Sequence, residues 1–362
     1  MTAQSLQQRL MPAAAPLMAS IVTAFLLGPR ASVVLVFLLG LVPFAWLALP
    51  EARARLTCTP PPVVIALLLT IYLGSSLLWS ADRVEGTGKV AMLASLVAAV
   101  WICRVGFGAA SDDGIERLGK ALVIAFLIGT GFLLFEEVFS HPVKRAMYKA
   151  LPFTRLPEKH LGIEDGEITR IGGYLTKRNM AALCFVLWPA LLSLFVLRTR
   201  LEAIVAAALA IAAAAITVVL ATHETSTLAL LAATAVLALA WLAPRLTLGA
   251  VVAGWVAATL LIVPAANLAY GKGLHLARWM PETARQRIIL WGYTAEQVPG
   301  RLLTGVGVAS TKILDARRGD LAKPPGFSYA RRTGPHAHNI YLQTWYELGA
   351  IGALLLLALG LA

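Results

Sequence analysis

The sequence predicts an all-α, polytopic integral membrane protein with about ten or more transmembrane helices and two long loops on one face, and three observations predict it. Of 362 residues, 59% are hydrophobic and only 14% are charged, with a mean hydropathy of +0.75; one soluble core would not bury that much apolar surface. Apolar runs of roughly 18 to 21 residues recur, which is the length a helix needs to cross the hydrocarbon layer. The Lys and Arg residues collect between those runs. The unbroken runs also exclude a spanning β-barrel, whose strands alternate polar and apolar residues.

Taken in order, the runs place spanning helices at Leu10–Leu27, Ala31–Leu49, Val63–Ser80, Lys89–Val105, Leu118–Phe135, Met180–Leu197, Leu201–Ala221, Ser226–Ala243, Leu246–Ala266 and Ile340–Ala362. The first carries Pro12 and Pro16 near its start. It meets Gly28-Pro29-Arg30 rather than a small-residue cleavage site, so a spanning helix is expected there instead of a signal peptide. The division along the chain is then 1–139 for the N-terminal helices, 140–179 for a first loop, 180–266 for central helices, 267–339 for a large loop and 340–362 for the last helix.

Arginine in the short connections sets the orientation. Glu51 to Arg55, Arg104 to Lys120, Arg198-Thr199-Arg200 and Pro244-Arg245 form one set, assigned to the inside. Both long loops, Phe139–Asn179 and Asn267–Asn339, then fall on the outer face. The second carries eleven Lys or Arg against four acids, and the first eight against four. Such loops act as plain solubilising charge or as a funnel for an anionic substrate at the membrane surface. The net charge of +12 points to anionic lipid or phosphate and not to nucleic acid, since no basic stripe interleaved with aromatics occurs. Membrane lipid is therefore an expected partner. Cys58, Cys103 and Cys184 have no paired spacing and read as small apolar fillers.

Within the large loop, Pro281 to Trp291 reads as a helix start with Glu282 in its first turn, placing Arg287 and Trp291 on one face. There Arg287 either holds a phosphate bidentately or snorkels beside a ring packed at the lipid interface. Further on, Asn339 is the expected N-cap of the last helix, which sets His338 just before a positive helix end where an anion gathers and the neutral imidazole is favoured. His336 and His338 share one side of an extended segment. A metal would need a third ligand from Glu347, His275, His223 or Glu224, and no spacing selects one, so no metal and no cofactor is expected. His223 to Thr227 reads as a polar helix start, and Glu136 and Glu137 either pair with loop arginines or mark the interface.

These residues resemble a known family, the O-antigen ligase and polymerase superfamily of bacterial envelope glycosyltransferases. The resemblance rests on His338-Asn339-Ile340-Tyr341-Leu342-Gln343 followed by Glu347-Leu348-Gly349-Ala350-Ile351-Gly352, on Arg287 to Trp291, on Gly305-Val306-Gly307 and on Lys177-Arg178-Asn179. It covers about the last half of the chain. It implies an all-helical membrane glycosyltransferase of the lipid-phosphate-sugar-using, GT-C-like class in the bacterial inner membrane, with its site facing the periplasm. The ligase branch moves a finished polysaccharide from an undecaprenyl diphosphate donor to a lipid A–core acceptor. Family chains usually carry an arginine near the position of His223–Thr227, where this sequence has none, and usually continue beyond the last span.

A sugar on diphosphate already has a good leaving group, so what the chemistry needs is positive charge for the departing phosphate and a base for the acceptor hydroxyl. The expected roles are His338 as base, with Arg287 and Arg178 holding the diphosphate, in a metal-independent inverting displacement. His336, Lys177, Arg285, Tyr341 and Asn339 are the further substrate-binding candidates. Two competing readings are a polymerase joining lipid-linked repeat units and, from another class, a transporter or flippase of lipid-linked sugars. The second would keep charged residues in mid-span, and few are present.

Overall fold

A computed structural model describes residues 3–28, 32–43, 47, 50–56, 59–151, 161–164, 167–172, 176–318 and 331–362. Arg30, the end of the expected span Ala31–Leu49, Cys58, and the loop residues Arg155, Glu158, Lys159, Asp165, Asp320 and Lys323 lie outside the described residues. The protein is an all-α polytopic membrane protein, about 80% helical. Eight described helices are long and apolar enough to cross a membrane. In chain order the helices are α1 (Ala3–Leu27), α2 (Ser32–Leu41), α3 (Pro50–Leu56), α4 (Pro61–Ser75, extended by a 3-10 turn to Leu78), α5 (Arg83–Gly108), α6 (Asp112–Val138) and α7 (Pro142–Ala150). After a two-stranded antiparallel hairpin, β1 (Leu161–Glu164) and β2 (Glu167–Ile171), come α8 (Lys177–Leu197), α9 (Arg200–Leu220), α10 (Glu224–Leu242), α11 (Pro244–Gly271), α12 (Glu282–Gln297), α13 (Ser310–Ala316) and α14 (Ile340–Leu361).

The expected spans coincide with these helices, with two corrections. Among the described residues of the second span, Ser32 to Leu41 are helical, Val42 and Pro43 form a turn, and Leu47 is helical again; at the turn, proline has no N–H to continue the ladder and its ring clashes with the preceding turn. The expected inner loop Arg104–Lys120 shrinks to Ala109–Ser111, because α5 runs on to Gly108 and Ser111 caps α6 by accepting from the Gly114 N–H at 3.3 Å. The two loops expected on the outer face hold structure of their own: α7 and the hairpin in one, α12 and α13 in the other.

The chain divides into two compact units, Met1–Cys58 with Ala99–Leu242, and Thr59–Ala98 with Ala243–Ala362. In the first, Leu26, Phe126, Leu133, Met180, Leu183, Leu187 and Ala214 form a tight core. Helix α8 shows why this is a lipid-facing bundle. Its buried Met180, Leu183, Leu187 and Leu191 follow helical spacing, while Phe185, Leu192 and Val196 on its other side are apolar and exposed; a helix apolar all round belongs in lipid. Cys184 lies in this core, as its filler role predicts.

In the second unit α14 is the centre. Trp345 donates its indole N–H to the Thr259 carbonyl at 2.6 Å, Trp255 donates to the Leu357 carbonyl at 3.2 Å, and Trp255 meets Tyr341 edge-on at 5.4 Å. The helix is not continuous. Gly349 has φ +64° and ψ −161°, which splits α14 into two pieces. The backbone groups freed by the break are satisfied by the segment before α13: Val306 and Gly307 N–H donate to the carbonyls of Tyr346 and Glu347, and Ala350 and Ile351 N–H donate to those of Leu302 and Leu303. Irregular backbone within an apolar helix is tolerated where protein supplies such partners.

Candidate active site

The large loop is organised around Asp315, a buried residue near the end of α13. It accepts from Thr333 Oγ1 at 3.1 Å, from the Gly334 N–H at 3.0 Å and from Arg332 Nε at 2.9 Å. Burial opposes ionisation of Asp315, but the hydrogen bonds from Arg332, Thr333 and Gly334 and the charge of Arg332 prevail and hold its carboxyl below the usual carboxylate range. This anchors the start of the segment that leads to α14.

Three residues on, Ala337 is fully buried and both its backbone groups are engaged. Its carbonyl accepts from Trp291 Nε1 at 2.8 Å, and its N–H donates to Gln343 Oε1 at 2.7 Å. His338 follows with φ +52°, a left-handed conformation uncommon outside glycine and costing about 1–3 kcal/mol when it is held in place. Asn339 caps α14 as expected, its Oδ1 accepting from the Leu342 N–H at 3.1 Å. The turn brings the rings of His336 and His338 to 3.9 Å between centroids.

Helix α12 starts where expected, after Pro281, and buries Ile288, Ile289 and Leu290 while Arg287 stays exposed. Trp291 has a role that its sequence position does not show. Its ring packs with Ala266, Ala295, Ala337 and Leu342 and its N–H is spent on Ala337, so it braces the loop. Burial, then the electrostatic influence of His336 and Arg287, push the His338 imidazole below its ordinary pKa. At neutral pH it is therefore free to accept a proton.

His336, His338, Asn339 and Gln343 line a cavity of about 490 Å³ with apolar walls that include Leu73, Met92 and Val308. Lys89 also faces it. Sequence reasoning treats Lys89 only as the first residue of a span; the pattern Glu85–Lys89, an i,i+4 ion pair at 3.2 Å, is the signal that α5 begins earlier and that Lys89 lies beyond its first turn. Arg287, Arg285 and Tyr341 are not part of that wall; Tyr341 packs on Trp255. Glu347 is buried, accepting from Thr311 Oγ1 at 2.6 Å, from Thr311 N–H at 3.3 Å and from Ala309 N–H at 3.2 Å, so its oxygens are committed to structure. Among the described residues no group of three or more His, Cys, Asp or Glu side chains is placed to hold a metal ion.

Lys177 and Arg178 belong to the first unit. Both are exposed in the first turn of α8, which holds no acid, so two cations add to a positive helix end. His223, at the start of α10, bonds Ser226 Oγ through Nδ1 at 2.6 Å, as a polar helix start should; burial and then the charge of Lys177 lower its pKa. Glu136 is fully buried and accepts from Val143 N–H at 2.8 Å and Lys144 N–H at 3.2 Å. Glu137 stands 3.8 Å from His141. Among the described residues these acids thus serve the start of α7 and its neighbours.

A many-spanning helical protein in which α14 begins beside a pair of histidines within electrostatic reach of an arginine is the class defined by this fold and site. Residues 207–357 match the family model described as O-antigen ligase, so this part of the chain is similar to that family. The matched stretch includes Arg287, His336 and His338, whereas Lys177 and Arg178 precede it. No curated protein and no solved structure matches the chain. Members of the family are glycosyltransferase-like membrane enzymes, which implies lipid-linked polysaccharide substrates in a membrane.

Proposed function

We propose that the protein is the ligase that moves a finished polysaccharide from undecaprenyl diphosphate to a lipid A–core acceptor, in the bacterial inner membrane, with the loops 140–179 and 267–339 facing the periplasm. The observation that carries the reading is His338, whose imidazole is kept neutral by burial and by His336 and Arg287 on the wall of a cavity with apolar sides. His338 takes the proton of the acceptor hydroxyl as its oxygen bonds the anomeric carbon. The bond from that carbon to the diphosphate breaks in the same step, the configuration inverts, and the diphosphate leaves as an anion. Arg287 receives that charge, and a guanidinium suits it because its planar fork matches phosphate oxygens. A leaving group of this kind needs neither a general acid nor a metal to depart.

Arg178, with Lys177 beside it at the positive start of α8, is the second proposed phosphate contact. Lys89, His336 and Asn339 are proposed to meet the substrate in the cavity, and Arg285 and Tyr341 are secondary contacts. The test is transfer by purified, reconstituted protein given lipid-linked glycan with and without lipid A–core. Glycan appearing on the core acceptor is expected. Elongation of the lipid-linked chain alone would make the protein a polymerase and end the ligase assignment. Full activity of His338→Ala would end the base assignment.

A further inference from the structure

The peptide of Ala337 is gripped from both sides, and neither grip touches His338 itself. Trp291 on α12 donates to its carbonyl at 2.8 Å and Gln343 on α14 accepts from its N–H at 2.7 Å. Gln343 is in turn tied inward. Its Nε2 donates to Thr311 Oγ1 at 2.6 Å, and the Thr311 hydroxyl donates to Glu347 Oε1 at 2.6 Å. Thr311 is 1% exposed and Glu347 8% exposed.

The direction of this chain is dictated by chemistry. A carboxylate only accepts, so the Thr311 hydroxyl spends its one proton on Glu347 and must accept from its other neighbour. That neighbour, the Gln343 amide, therefore turns its NH2 to Thr311 and its oxygen to Ala337. Only in that orientation is the Ala337 N–H satisfied. Glu347 is locked by two backbone donors, Ala309 and Thr311 N–H, besides the hydroxyl, so the chain ends on a fixed point. Each bond in such a low-dielectric series reinforces the next.

What this holds is the residue after Ala337. His338 has φ +52°, a conformation that persists only where its surroundings enforce it. Fixing the preceding peptide plane at both its carbonyl and, through Ala337 N–H, the peptide before it leaves the 338 backbone little freedom to relax to the ordinary region. We propose that Gln343, Thr311 and Trp291 are positioning residues for the base, transmitting the fixed point at buried Glu347 through the Ala337 backbone to the imidazole of His338. The proposal rests on the reading of His338 as base and extends it to residues that make no proton transfer themselves.

The test uses Thr311→Val, which keeps volume and removes the hydroxyl, Thr311→Ser, which restores it, and Trp291→Phe, which keeps most of the ring and removes the donor. Each is measured in the reconstituted full-length protein for kcat, for KM of the lipid-linked donor and for folded yield, and again in the His338→Ala background. Thr311→Val and Trp291→Phe should lower kcat about tenfold, the equivalent of one lost hydrogen bond, with KM unchanged. Thr311→Ser should recover most of the rate. With His338 absent, neither variant should reduce the residual rate further, because a residue acting through another has nothing left to act on.

Three results overturn the proposal: unchanged kcat in both variants when His338→Ala is inactive, a raised KM with normal kcat, or losses that persist undiminished without His338. If Thr311→Val does not fold, Trp291→Phe and the serine variant decide by the same kcat and background comparisons. Full activity of His338→Ala is a separate outcome. It refutes the base assignment itself, and the positioning role with it.

Discussion

The backbone of Gly349 lies against that of Leu303 so closely that a Cβ on Gly349 would stand 2.4 Å from the Leu303 carbonyl carbon and oxygen. This contact lets the segment before α13 reach the break in α14 and donate and accept the four hydrogen bonds that the break leaves open. The neighbouring pair repeats it, with a Cβ on Gly305 meeting the Glu347 carbonyl at 2.3 and 2.4 Å.

Gly349→Ala should therefore damage the fold around the site. A non-glycine residue at φ +64° costs about 1–3 kcal/mol in strain, and the clash is with backbone that cannot rotate aside. Gly249→Ala in α11, where nothing lies within 4 Å of the added methyl, should be neutral or stabilising by about 0.5–1 kcal/mol through helix propensity. Thermal unfolding of the two variants in detergent measures both. Equal stability of Gly349→Ala and the parent would show that the break does not need glycine.

How much of this was open to sequence reasoning follows from distance along the chain. The span Met180–Leu197 is visible because a lipid-crossing helix needs its apolar residues in one uninterrupted run, and α8 occupies Lys177–Leu197. The Asn339 cap is equally local, one side chain bonding the N–H three residues on. The break at Gly349 is hidden inside an apolar run with no proline, because its cause is the backbone of Leu302 to Gly307. The bracing role of Trp291 is hidden for the same reason: only the fold brings the Ala337 carbonyl to its N–H. Lys89 is missed because a lysine at the edge of an apolar run reads as a boundary.

The pH dependence of transfer should report the charges around His338. A proton on the base abolishes activity, so the rate falls as pH drops through the His338 pKa. Burial, and then the electrostatic influence of His336 and Arg287, disfavour imidazolium and place that fall below the ordinary imidazole value. His336→Gln removes the influence of His336 that lowers the His338 pKa, so the acid limb of kcat/KM should move up, with little change at alkaline pH. A limb that stays put or moves down would contradict the charge coupling between the two histidines.

Asp315 should make the large loop sensitive to acid. Its folded-state pKa is depressed chiefly by Arg332, Thr333 and Gly334 working against burial, so the stability it confers is present above the unfolded carboxylate range and disappears as pH falls through the folded value. Asp315→Asn should melt at a lower temperature than the parent near neutrality, and the gap should close on acidification. The half-exposed Arg332 partner keeps the gap modest. Melting curves across the acid range give the answer; a gap independent of pH would assign the loss to packing rather than charge.

Asn339 serves two purposes that substitution can separate. It caps α14 through Oδ1, and it lines the cavity beside His338. Asn339→Ala loses the cap and should cost about 1 kcal/mol of stability. Asn339→Asp keeps an acceptor of equal capping strength and places negative charge at a positive helix end, so the fold should be unharmed or firmer. The same carboxylate would repel a diphosphate and stabilise imidazolium on His338, raising donor KM and moving the acid limb upward. Stable but poorly active Asp and destabilised Ala variants are the expected pair. Full transfer by Asn339→Asp would mean that the donor phosphates do not approach this end of α14.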